Sequence, residues 1–325
     1  MIQPALESFV SETTGATEVT LNEIVQELWS GYGKILRLDL RGAASPSLIA
    51  KHISAPTQRS HPRGWVTDLS HERKLRSYQV ELAFYQHFSS RCEDECRIPC
   101  FLDCRKEGNE VFLLLEDLNE AGFPARLRSV DWHQIEACLR WLAKFHALFL
   151  GSSPTGLWET GTYWHLETRP DELAALEDPD LKEAAKKIDA RLSEAKYQTF
   201  VHGDAKLANF CFSRDGRKVA ALDFQYVGRG CGMKDVAYFI GSCLEEEACE
   251  LEEARLLDTY FSFLIPSLTE QYPSMDVSEL EREWRELFPI AWTDFHRFLK
   301  GWCPGHWKIN GYSERIAREV IAQLS

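Results

Sequence analysis

The sequence predicts an α+β fold in two lobes, and three observations lead there. The chain has 325 residues, more than one compact core usually needs. A continuous apolar run, Val111–Leu115, reads as a buried strand and is followed by Glu116-Asp117-Leu118 and the breakers Gly122 and Pro124. Beyond them the pattern turns mainly helical. The lobe boundary is therefore placed after Leu118, giving an N-terminal lobe of residues 1–118 and a C-terminal lobe of residues 119–325.

In chain order, Leu21 to Ile49 reads as a helix start, a glycine turn and then extended segments. Val80, Phe84 and Phe88 fall four apart, which predicts a helix over Leu75–Ser90. Ile135, Leu139, Leu142, His146 and Phe149 trace the buried face of another helix, with His146 expected as a hydrogen-bonded core histidine. Thr199-Phe200-Val201 reads as a strand. Cys211–Leu222 reads as a hairpin turning at Arg214-Asp215-Gly216-Arg217. From Lys234 onward the chain is helical again and rich in aromatics.

Composition narrows the partners. Hydrophobic residues make up 44% and charged residues 27%, as in an ordinary globular enzyme. The net charge of -13 argues against nucleic acid or an anionic membrane, which need a basic surface. Met1–Thr20 has no basic start followed by an apolar run, so no signal peptide is expected, and the expected compartment is the cytoplasm. The 10 cysteines are then expected to be reduced. Cys92, Cys96, Cys100 and Cys104 recur every fourth residue, but Pro99 breaks the helix that would put them on one face.

The chemistry concentrates in Val201-His202-Gly203-Asp204-Ala205-Lys206-Leu207-Ala208-Asn209 and Leu222-Asp223-Phe224-Gln225. Asn209 and Asp223 are equidistant from Gly216, so an unbulged hairpin sets them opposite each other, with Cβ atoms about 5 Å apart. Two oxygen donors so placed can share a Mg²⁺ ion, which prefers few protein ligands beside phosphate oxygens and water. Asp204, in the loop entering the hairpin, is positioned as a base that accepts a hydroxyl proton. Gly203 allows a tight turn there. Lys206 can set its ammonium against a moving phosphoryl group.

His202-Gly203-Asp204 with Asn209, then Asp223-Phe224, resembles the catalytic and metal-binding segments of the aminoglycoside phosphotransferase and choline kinase superfamily. The ecdysteroid-kinase-like branch and its bacterial relatives, where Asp-Phe-Gln is common, look closest. The resemblance implies a protein-kinase-like fold: a small N-lobe with an antiparallel sheet, and a larger, mostly helical C-lobe. It further implies ATP and Mg²⁺ as cofactors and transfer of the γ-phosphate to a hydroxyl of a small-molecule acceptor. Gly31 and Gly33 would lie in the phosphate-covering loop. Lys51 would hold the α- and β-phosphates with Glu81 as its ion-pair partner. Glu116 and Leu118 would belong to the hinge that binds adenine. These parts occur in kinase order. Gln225 departs from the pattern, since protein kinases carry glycine there. The polar stretch Ser54–Arg73 between Lys51 and Glu81 reads as an insert or loop.

A protein kinase is disfavoured: Asp235 follows Asp223 closely, an apolar helix begins there, and no Ala-Pro-Glu closes an activation segment. Gly228, Gly230 and Gly232 suggest a tight connection instead. Asp235 is expected to cap the next helix. Trp284, Trp292, Phe295, Phe298, Trp302 and Trp307 either form core or line an acceptor face. With Asp294 they could hold a quaternary ammonium, or they could flank a flat alcohol. The rival to an enzyme is a non-catalytic nucleotide-binding or scaffold protein on the same fold.

Overall fold

The computed structural model describes residues 2–28, 31–54 and 68–324. Helix α1 (Pro4–Thr14) opens the chain, and strands β1 (Glu18–Glu27), β2 (Gly33–Arg41), β3 (Ser47–Ser54), β4 (Phe101–Glu107) and β5 (Glu110–Glu116) form one sheet. Its order is β1-β2-β3-β5-β4 and every neighbouring pair is antiparallel. Leu6, Phe9 and Val10 of α1 bury one face of this sheet, against Leu38, Leu48, Ala50, Phe112 and Leu114. On β3 the side chains alternate across the pleat, so Ala50 faces α1 while Lys51 faces the other way.

The helix start expected at Leu21 is instead strand β1. Leu21, Ile24, Val25 and Leu28 fall at helix-like intervals. The strand reaches that spacing because its register against β2 shifts twice, between Leu21 and Glu23 and between Ile24 and Gln26. Each bulge breaks the period-2 alternation that marks a strand. Ile24 and Val25 remain exposed at this sheet edge.

Gly33 is required where β2 meets β3. Its φ is 128°, and a Cβ there would lie 1.9 Å from the His52 carbonyl oxygen. Gly33→Ala is therefore expected to destabilise by about 1–3 kcal/mol or more, from the backbone conformation and the overlap together. An unchanged thermal midpoint would contradict this placement.

Helix α2 (Asp68–His87) starts earlier than the expected Leu75–Ser90 and ends before Ser89. Residues 55–67 of the expected polar loop lie outside the described residues. Val80 and Phe84 of α2 belong to the main core, which runs without interruption from the inner face of β5 through the C-terminal half.

That half comprises α3 (Trp132–Leu148), α4 (Pro170–Ala175), α5 (Pro179–Ser193), β6 (Thr199–Val201), β7 (Phe210–Phe212), β8 (Val219–Ala221), β9 (Gly228–Gly230), α6 (Met233–Cys243), α7 (Glu246–Gln271), α8 (Val277–Trp302) and α9 (Gly311–Leu324). Asp131 caps α3 through a reciprocal box with Gln134, and Ile135, Leu139, Leu142, His146 and Phe149 are buried as their spacing predicts. Asp178 caps α5 and also binds Lys300 of α8 and Arg318 of α9. Burial alone would raise its pKa, but these partners outweigh it and hold the carboxyl down at about 2. No helix among the described residues is long and apolar enough to cross a membrane.

Candidate active site

Two short ladders position the candidate residues. β6 pairs with β9, and β7 pairs with β8. The expected hairpin is present and turns through Gly216, but its register differs by one residue. Phe210 faces Ala221, and the Leu222 amide donates to the Asn209 carbonyl at 3.0 Å. Asn209 thus stands opposite Leu222, not Asp223. The reason is local: Ser213 and Lys218 close the turn, with Gly216 at φ 69° inside it. This leaves four residues in the loop, displaced by half a residue from the symmetry assumed around Gly216.

Asp223 leaves the ladder at φ 70°, a left-handed conformation that aspartate tolerates better than most residues. The next residue fixes it. Phe224 is fully buried and stacks on Phe84 of α2, with centroids 4.2 Å apart, and lies 4.7 Å from His202. Gln225 accepts from Lys74 Nζ at 2.8 Å and from Ser77 Oγ at 3.2 Å. The glutamine that departs from the kinase pattern thus ties the Asp223 turn to α2.

The catalytic-loop candidates come together. Asp204 is buried; its Oδ2 accepts from Lys206 Nζ at 2.8 Å and Asn209 Nδ2 at 3.0 Å, and its Oδ1 from Tyr238 Oη at 3.2 Å. Asn209 Nδ2 also donates to the Asp204 carbonyl at 2.8 Å. With the amide nitrogen engaged twice, the Asn209 carbonyl oxygen is left to face another partner. Burial, and next the neighbouring Asp223 charge, raise the pKa of Asp204 against the opposing pull of Lys206. Gly203 has φ 79°, and a Cβ there would lie 2.1 Å from the Tyr226 carbonyl, so the loop passes too close for any side chain.

Asp235 does not cap α6; it lies inside that helix, whose preceding residue is Gly232. Its carboxylate instead accepts the backbone amides of His202 at 2.5 Å and Gly203 at 2.9 Å, and His146 Nε2 at 3.1 Å. His146 in turn meets Tyr260 Oη through Nδ1 at 2.7 Å, and is a fully buried core histidine. The loop amides are spent on Asp235 because no strand partner reaches them.

Lys51 and Glu81 meet at 2.6 Å and both are buried. Lys51 Nζ is also 4.0 Å from Asp223 Oδ1, a buried oxygen with no hydrogen-bond partner. Burial raises the Asp223 pKa, but Lys51, Lys74 and Lys206 outweigh it and hold the carboxyl below its ordinary value. Glu81 is shifted the other way, raised by burial in spite of Lys51. A double-mutant cycle on Lys51→Met and Glu81→Gln should therefore show strong coupling, about 0.5–3 kcal/mol. Additive effects on the thermal midpoint would mean the two act separately.

Gly31, at φ 76°, lies in the turn from β1 to β2, and Gly33 opens β2. The Glu116 carboxylate binds Arg97 and the Cys100 amide, and Leu118 packs against Cys211, Ala220 and Leu222 beneath it. Lys74 and Tyr238 join the site without belonging to either sequence motif. Both were legible from helical spacing: Lys74, Ser77, Tyr78 and Glu81 share one face of α2, as Asp235 and Tyr238 share one of α6.

Asp294 is not available to a ligand. It is buried and bound to Arg297 at 2.8 Å and to Trp164 Nε1 at 3.0 Å, with Lys234 at 3.7 Å. Trp284 and Phe298 are core, whereas Trp307 is half exposed. Between Asp223 and α6 there is only β9 and its flanking turns, so no peptide-docking segment is present.

Comparison with solved structures gives matches over nearly the whole chain. A GDP complex of aminoglycoside 2'-phosphotransferase-IIIa matches at 12% identity, covering 99% of each chain with a TM-score of 0.50. A microcompartment-associated aminopropanol kinase matches at 12% identity and TM-score 0.48, covering 99% of this chain and 94% of its own. Choline kinase LicA from Streptococcus pneumoniae matches at 12% identity and TM-score 0.44, with 98% and 97% covered. At such identities the likeness concerns the fold. No curated protein matches by sequence. The model of the phosphotransferase enzyme family matches residues 58–275, two thirds of the chain and all of the catalytic-loop and Asp223 segments. The chain belongs to the phosphotransferase enzyme family.

Proposed function

We propose that this protein is a small-molecule kinase that transfers the γ-phosphoryl group of ATP to a hydroxyl of its acceptor. The observation that carries the reading is the cluster in which buried Lys51, Asp204 and Asn209 meet the partly exposed Asp223 and Lys206. The lobes divide after Leu118, and the nucleotide lies between them. Glu116 and Leu118 bind its base through the backbone, and Gly31 and Gly33 let the β1–β2 turn close over the phosphates. A GDP-bound neighbour of the same fold is consistent with nucleotide in this cleft.

The residues fit a magnesium ion. Asp223 presents an orphaned buried oxygen and Asn209 an unengaged carbonyl. Among the described residues no group of three His, Cys, Asp or Glu side chains is placed to hold a metal. Two oxygen donors suit an ion that takes its remaining ligands from phosphates and water. Held by Asp223 and Asn209, Mg²⁺ would offset the charge of the phosphates. Lys51, fixed by Glu81, binds the α- and β-phosphates. Asp204 orients the acceptor hydroxyl and takes its proton as the new O–P bond forms and the bond to the ADP oxygen breaks. Lys206, held against Asp204, faces the charge on the moving phosphoryl group.

The test is ADP release from Mg²⁺-ATP across a panel of small hydroxylated compounds. An acceptor-dependent signal is expected. Mg²⁺-ATP binding without turnover on any compound would favour the non-catalytic reading, and absence of nucleotide binding would overturn the proposal.

A further inference from the structure

The acceptor side of the cleft carries an uncommitted cation. Lys308 sits in the turn between α8 and α9. That turn is pinned by Ser313 Oγ, which donates to the Lys308 carbonyl at 2.9 Å, and by the Asn310 side chain capping Ser313. The half-buried ammonium points into an aromatic collar, 5.0 Å from the ring centre of Tyr238, 5.5 Å from Phe295 and 5.6 Å from Trp307. Tyr238 is the residue that donates to the base Asp204. Among the described residues Lys308 forms no ion pair, although the chain has 50 acidic side chains against 37 lysines and arginines.

A second observation comes from the adjoining pocket, lined by Gly241, Trp292, Phe295, His296 and Lys308. His296 is buried there, and neither ring nitrogen has a hydrogen-bond partner. Glu314 lies 3.3 Å away without hydrogen-bond alignment. Burial pushes the imidazole down to about 4, so it is neutral and able to donate one N–H. Burial also pushes the Lys308 ammonium down to about 8, with Lys206 acting in the same direction and Cys243 and Asp204 opposing. The cation is held at an energetic cost that a bound anion would relieve.

Resting on the phosphotransferase reading above, we infer that the acceptor is a hydroxylated organic anion whose acidic group is held by Lys308, beside His296, while its hydroxyl reaches Asp204. A cationic acceptor is disfavoured by the same geometry. Lys206 and Lys308 both flank the base, and Asp294, the carboxylate that would have answered an ammonium, is consumed by Arg297 and Trp164. The aromatic collar favours an apolar or flat body on the acceptor.

The test is equilibrium titration of the Mg²⁺-nucleotide-loaded protein with matched probes that differ only in charge. One set is 3-(4-hydroxyphenyl)propionate, its amide and 4-(3-aminopropyl)phenol; a second is gluconate, glucose and glucosamine. In at least one set the anion should bind tenfold or more tightly than its partners. Lys308→Met should erase that advantage while leaving Mg²⁺-nucleotide affinity unchanged, and Lys308→Arg should retain most of it. If no anion outbinds its partners, or if Lys308→Met lowers the thermal midpoint without altering the charge order, Lys308 only ties its turn to α6 and α8 and the inference fails. Loss of nucleotide binding in the wild type would instead mark a failure of the phosphotransferase reading.

Discussion

Replacing Asp223 with asparagine should abolish the Mg²⁺ dependence of nucleotide binding and reduce turnover on the order of 10³-fold, the scale on which charge compensation matters in phosphoryl transfer. Asparagine is the informative choice. Position 223 sits at φ 70°, where asparagine is at ease but alanine adds about 1–2 kcal/mol of backbone strain. Asp223→Ala therefore mixes lost charge with a disturbed turn, and that turn also places Phe224 on Phe84 and Gln225 on Lys74. Asp223→Asn removes only the charge. Three cations, Lys51, Lys74 and Lys206, then lose the anion that they now hold ionised. Nucleotide titrations with and without Mg²⁺ give the measurement. If the two curves still differ in Asp223→Asn as they do in the wild type, the metal is held elsewhere.

What could be read from the sequence was the order of the parts, and what could not was their exact apposition. Lys51 and Glu81 were paired on order alone, and they meet because Lys51 of β3 and Glu81 of α2 point toward each other. The hairpin was legible from its strands and turn residues. Its register was not, because a one-residue difference in loop closure around Gly216 changes no residue type. β1 was misread because two bulges give an edge strand the apolar spacing of a helix. Asp235, expected as a helix cap, and Asp294, offered in one of two open readings of the acceptor face, find other partners for a shared reason. Each is a carboxylate on a helix whose partners come from distant segments: the 202–203 amides for one, Trp164 for the other. Sequence position shows that such a carboxylate must be satisfied, not by what. Lys308 escaped notice for the converse reason, since a lysine in a polar turn is ordinarily solvated.

Asp204→Asn should leave nucleotide binding and fold in place while kcat falls by about 10²–10⁴-fold, the usual contribution of a positioned general base. The surrounding network permits this separation. The amide oxygen can replace Oδ2 and still receive Lys206 and Asn209. The amide nitrogen can replace Oδ1 and donate to the Tyr238 hydroxyl, which now donates in the other direction. The Tyr238 hydroxyl can then turn its proton to Tyr163 Oη at 3.2 Å, reversing the bond it now receives from that residue, and its oxygen is free to take the new one. No buried group is stranded, so the thermal midpoint should not drop. What disappears is the ability to accept a proton. The KM for Mg²⁺-ATP should therefore stay near its wild-type value, because Lys51, Asn209 and Asp223 are untouched. Tyr238→Phe provides the contrast: it removes a hydrogen bond that orients Asp204 but leaves its carboxylate, so a smaller loss is expected. Full turnover in Asp204→Asn would remove Asp204 from the chemistry. A collapse of nucleotide affinity in that variant would make Asp204 part of the metal site, where its 3.0 Å contact with Asn209 already places it one step away.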